Sequence, residues 1–153
     1  MTTFIKISIL VFAFLATISL RVEAATAEQE KAFVDKYKSA FEGKDTATLE
    51  SFLYTQGADP TALEFYKMMQ SAEAGEKISK IELVNLTPDD VKKATTPMDS
   101  PTGGKACLTL KPTKKLIIKI DKKDANGSSS SSSENFIAEK DGKFVIPLPG
   151  PCK

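Results

Sequence analysis

Residues 33–45 read Phe33-Val34-Asp35-Lys36-Tyr37-Lys38-Ser39-Ala40-Phe41-Glu42-Gly43-Lys44-Asp45. Phe33, Tyr37, Ala40 and Phe41 recur at helical spacing and so share one face. Upstream, Thr26-Ala27-Glu28-Gln29 has the form of a capping box, and Gly43 is a typical terminating residue. Asp45 caps a second, shorter helix whose apolar stripe is Leu49, Phe52 and Leu53, and Gly57 breaks it. Asp59-Pro60 reads as cap and first position of a third helix, with Leu63, Tyr66 and Met69 or Gln70 on one side and Phe65 and Met68 widening the apolar face.

After Gly75 the period changes from near four to two, and Ile81 and Leu83 fall on one face of a strand over about Lys77 to Leu86. Pro88 to Gly104, with its three prolines, is expected as a long loop or irregular edge, with at most one helical turn at Asp89-Asp90-Val91-Lys92. Ala106, Leu108 and Leu110 alternate with Cys107 and Thr109, and Leu116, Ile118 and Ile120 share a face of a further strand. Residues 124–134, which include the serines Ser128 to Ser133, are low in complexity and predict a flexible loop. Phe136 and Ala138 alternate with Ile137 and Glu139. Asp141-Gly142 is a hairpin signal, and Phe144-Val145-Ile146 closes the pattern. The expected fold class is α+β, with three N-terminal helices packed on a curved antiparallel sheet of four to five strands.

The chain of 153 residues is a prior for one domain, and Lys+Arg 21 against Asp+Glu 20 excludes the basic excess of an electrostatic nucleic-acid binder. There is no histidine, so the Ser-His-Asp and Cys-His pairs and the commonest metal ligand are missing. No cofactor and no metal is expected. Ile7 to Leu20 form an apolar run behind Lys6, with Val22 and Ala24 at the positions a signal peptidase reads. A membrane span needs about 20 apolar residues, so residues 1–24 are expected as a signal peptide cleaved after Ala24, touching a membrane only in transit. Residues 25–153 form the expected single domain, secreted or periplasmic. Its two cysteines, Cys107 and Cys152, are expected as a structural disulfide, with free thiols as the alternative. Asn85-Leu86-Thr87 and Asn126-Gly127-Ser128 fit the glycosylation acceptor pattern.

With these elements in place, residues 33–45 followed by Leu49, Phe52 and Leu53 resemble the first-helix signature of the nuclear transport factor two-like superfamily, the cone-shaped fold of ketosteroid isomerases and polyketide cyclases. The closing stretch from Glu139 to Ile146 resembles its last hairpin. The resemblance implies a pocket between helices and sheet, and it places Tyr37 at the oxyanion-binding tyrosine of the isomerases. It carries no further: the isomerases have their base aspartate on a strand after the second helix, whereas Asp59 here opens another helix.

Tyr37 is therefore the one catalytic candidate, and Tyr37, Phe41, Tyr54, Tyr66 and Met69 are the candidate pocket lining, set against an ordinary core role for each. Lys114, Lys115, Lys119, Lys122 and Lys123 read as a solvated strand face that discourages aggregation. Asp89, Asp90 and Asp99 match no calcium loop. The function expected is non-catalytic binding of a small apolar ligand or a protein partner. The alternative is an isomerase or hydro-lyase working through Tyr37. A cystatin-like inhibitor is a third reading, weakened by the missing Gln-x-Val-x-Gly hairpin. A homodimer through the sheet is possible on the resemblance, and nucleic acid is not an expected partner.

Overall fold

The computed structural model describes residues 26–100, 103–124 and 127–152. The expected signal peptide lies outside them. Thr26 caps α1 (Ala27–Glu42) reciprocally: the Gln29 N–H donates to Thr26 Oγ1 at 3.2 Å and the Thr26 N–H donates to Gln29 Oε1 at 2.8 Å. Asp45 accepts from the Thr48 N–H to start α2 (Thr46–Glu50), and Asp59 accepts from the Thr61 and Ala62 N–H groups to start α3 (Pro60–Glu73). The short strand β1 (Leu53–Tyr54) lies between α2 and α3. Beyond α3 follow β2 (Lys80–Asn85), α4 (Pro88–Thr95), β3 (Met98–Asp99), β4 (Lys105–Leu108), β5 (Lys114–Asp124), β6 (Gly127–Lys140), β7 (Lys143–Pro147) and β8 (Pro149–Pro151).

The architecture is mixed α+β. One five-stranded sheet has the order β1-β7-β6-β5-β2, and a three-stranded sheet has the order β3-β4-β8. All pairings are antiparallel except β1 with β7, which is parallel. Asp141 and Gly142 both take positive φ, 52° and 72°, as a tight hairpin between β6 and β7 requires.

Three expectations are corrected. The second helix ends at Glu50, before the Phe52 and Leu53 of its expected stripe, and Leu53 instead enters β1, paired with Ile146 of β7. Pro88 to Thr95 is a helix of two turns rather than part of a loop, because Thr87 and Asp90 form a second reciprocal cap and Pro88 takes the first helical position. Residues 124–134 are not a flexible loop: Ser128 to Ser133 pair residue by residue with Lys123 to Ile118. A serine run has little strand propensity of its own, but β5 offers it a complete hydrogen-bonding partner, and such tertiary context overrides propensity.

The core lies between the helices and the face of β5 that carries Leu116, Ile118 and Ile120, all buried. Phe33, Tyr37, Ala40 and Phe41 of α1 are buried against it, as are Leu49, Phe52, Ile137, Ile146 and Leu148. Glu42, at the end of α1, accepts from the Ile78 N–H at 3.0 Å and so aligns the entry to β2. At the other end of the molecule, a Cβ on Gly150 would stand 2.0 Å from the Gly57 carbonyl oxygen, so only glycine permits β8 to pass the turn before α3.

On the opposite face of β5, α4 is held by charge. The Asp90 carboxylate accepts from the Thr87 N–H (3.0 Å), the Thr87 hydroxyl (2.8 Å) and Lys115 Nζ (2.9 Å). Lys115 also reaches Glu134 at 3.1 Å. The Thr87 N–H first, and then Lys115 and the Thr87 hydroxyl, hold the Asp90 carboxyl down from 3.8 to about 2. A depressed carboxyl stabilises the fold above its unfolded value and loses that contribution as pH falls through the folded one. Asp90→Asn is therefore expected to flatten the acid limb of urea unfolding between about pH 4 and about pH 2, where the parent chain loses stability.

Cys107, in β4, is bonded to Cys152 across 45 residues of sequence. This ties the last residues to the three-stranded sheet, since Cys107 pairs in register with Gly150. Opening the bond with a reductant is expected to lower the unfolding free energy by about 4 kcal/mol, read as a shift in the urea midpoint.

Candidate functional site

Tyr37 and Phe41 stand one turn apart on α1, with Ile118 of β5 beside them, and together they form the floor of a cleft of about 250 Å³. Phe65, Tyr66, Met69, Gln70 and Glu73 of α3 form one wall, and Ser133, Glu134 and Asn135 of β6 form the other. The apolar face of α3 is only partly covered: Phe65 is 51% exposed, Met68 61% and Met69 46%. Phe65 and Tyr66 also border a second, mainly apolar cleft of about 400 Å³ with Ala62, Met98, Ala106 and Pro149. The two clefts thus meet across one helix.

At the floor, the Tyr37 hydroxyl meets the side-chain amide of Gln70. Burial pushes the Tyr37 phenol up to about 12; the Gln70 contact opposes the shift and the Glu73 carboxylate adds to it. Burial also raises Tyr66. Among the described residues, Gln70 Oε1 is a buried oxygen with no hydrogen-bond partner. Leaving such an acceptor empty costs about 1–3 kcal/mol.

Of the residues singled out from sequence, Tyr37, Phe41, Tyr66 and Met69 converge on this cleft, whereas Tyr54 stands apart on β1 with its hydroxyl donating to Gln56 at 2.7 Å. Phe65 and Gln70 also lie on the apolar stripe or face of the third helix, and helical spacing alone does not separate pocket lining from core there. Glu73 lies one turn beyond Met69 on the same stripe. Ser133, Glu134 and Asn135 carried no signal, because a serine run read as a loop cannot be given a place beside a helix.

The lysines of β5 are largely neutralised: Lys114 pairs with Glu30 at 2.7 Å, Lys115 with Asp90 and Glu134, and Lys122 with Glu76 at 2.7 Å. Among the described residues, no cluster of three or more His, Cys, Asp or Glu could hold a metal ion. No helix of the described residues is long and apolar enough to cross a membrane. The chain matches no family model, no curated protein and no solved structure.

The cleft combines the apolar Phe41, Phe65, Met69 and Ile118 with the phenols of Tyr37 and Tyr66, a set suited to holding and orienting an apolar group. A tyrosine held up to about 12 is a hydrogen-bond donor and a weak acid. Its raised value stabilises the fold below the unfolded tyrosine range and is lost as pH rises through the folded one. In a near-ultraviolet phenolate titration, a step at about 12 is expected that Tyr37→Phe removes.

Proposed function

We propose that this chain is an exported, non-catalytic binding domain of the cone-shaped, nuclear transport factor two-like kind, whose cleft receives an apolar group from a small ligand or a protein partner. The reading rests above all on the cleft itself, a floor of Tyr37, Phe41 and Ile118 beside the exposed Phe65 and Met69 of α3. The run of helices ahead of a largely antiparallel sheet, with the cleft between them, agrees with the resemblance in residues 33–45. The disulfide is compatible with an oxidising compartment and accords with the expected leader.

The isomerase reading needs Tyr37 to donate to an oxyanion, which a phenol held up to about 12 can do because it keeps its proton. The isomerase reading also needs a base, and Glu73, the carboxylate that acts on Tyr37, is exposed at the rim.

Native mass spectrometry of residues 25–153, purified without denaturant from an exporting host, is expected to show a bound mass. In parallel, the apolar dye anilinonaphthalene sulfonate is expected to bind the emptied protein. Met69→Glu should weaken the dye by about tenfold without changing the thermal midpoint, because Met69 is 46% exposed and contributes little to the core. Dye binding unaffected by this variant would count against the cleft as the binding site.

A further inference from the structure

A strand inside a sheet satisfies its N–H and C=O groups on both edges, and an edge left open is a template for another strand. β6 pairs with β5 from Gly127 to Ile137, but its other edge meets β7 only at Ala138, Glu139 and Lys140. Among the described residues, no strand covers that second edge from Gly127 to Ile137. Proteins usually guard so long an edge with lysine, proline or a bulge. Here the residues from Gly127 to Asn135 are one glycine, six serines, Glu134 and Asn135. Their small side chains leave the backbone approachable over about 30 Å.

The end of this edge, Ser133 to Asn135, is itself a wall of the cleft, facing the exposed Phe65 and Met69 of α3. An open ladder of backbone donors and acceptors therefore runs beside an apolar helical stripe. We infer that the occupant of the cleft is an extended polypeptide segment that adds as a strand to the free edge of β6 and sets apolar side chains, at alternate positions, against Phe65 and Met69. This rests on the reading of the cleft as a site for apolar groups, and it names the class of partner. The ladder supplies affinity whatever the partner's sequence, and the cleft selects its side chains. Glu73, exposed at the rim of the cleft, favours a basic residue at the end of the segment, whereas the Glu134 carboxylate is turned to Lys115 on the other face of the sheet. A second copy of this chain is a poorer occupant, because Ser128 to Glu134 would bring no apolar side chain to Phe65 and Met69.

The probe is a synthetic octapeptide of alternating valine and threonine with a lysine at each end, titrated into residues 25–153 with the backbone amides followed by NMR. Shifts and slowed exchange at the amides of Ser128 to Glu134 are expected. Methylating the probe's backbone nitrogens on both of its edges is expected to weaken binding by about tenfold or more, since each methyl removes a donor. Phe65→Ser, at a half-exposed position that leaves the core intact, should weaken it comparably. Equal binding of the methylated probe, or shifts confined to α3, would overturn the inference. So would slowed exchange at the same serines in a concentration-dependent dimer without probe, which would assign the edge to a second copy. Dye binding in the cleft without peptide binding would overturn the strand addition alone, whereas loss of both would remove the cleft reading as well.

Discussion

Phe33 meets Phe52 edge-on and Phe144 at a tilt, with ring centroids 5.3 Å apart in each case, and Tyr37 meets Phe52 at 5.5 Å. These contacts join α1 and the turn after α2 to β7, which is distant from both in sequence. Aromatic pairs of this geometry add about 0.5–1.5 kcal/mol each to the burial of their area. Because α1 is held by its Phe33 and Tyr37 face, its next turn presents Phe41 towards β5, and the cleft floor follows from the same packing. Site and core are thus one construction.

The wall made by α3 is built differently. Within it Ala62 is buried and Leu63 and Tyr66 are partly covered, and its C-cap Ala74 is buried in the core with the Gly75 N–H donating to the Phe41 carbonyl at 2.7 Å, so the helix is held at both ends while Phe65, Met68 and Met69 remain open to solvent. The Asp59 N–H donates to the Pro149 carbonyl at 2.8 Å and joins the start of α3 to β8, which the Cys107–Cys152 bond ties to β4. The disulfide lies far from the cleft in sequence, yet it steadies the sheet on which α3 begins.

The caps of the first three helices are legible from local chemistry alone. Thr26, Asp45 and Asp59 sit where their side chains satisfy the first N–H groups, an interaction that spans only three residues. Thr87 and Asp90 carry the same signature, and three prolines between Pro88 and Gly104 masked it. The face of α1 and the Leu116, Ile118, Ile120 face of β5 follow from periodicity, which depends on nothing beyond the chain's own geometry.

Four of the five aromatic and methionine candidates for the pocket were likewise within reach, since helical spacing says which side chains share a stripe. What spacing leaves open is whether a stripe is covered. The same pattern describes Phe33 at 7% exposure and Phe65 at 51%, and only the position of the sheet beneath each helix separates them. The serine run shows the same division. Its composition speaks for a loop, and it becomes a strand because β5 lies beside it with a matching ladder. Local hydrogen bonding and periodicity are properties of a few neighbouring residues and are written in their order. Coverage, strand pairing and the Tyr37–Gln70 meeting at the cleft floor depend on segments distant in sequence, and so they exist only once the chain has packed.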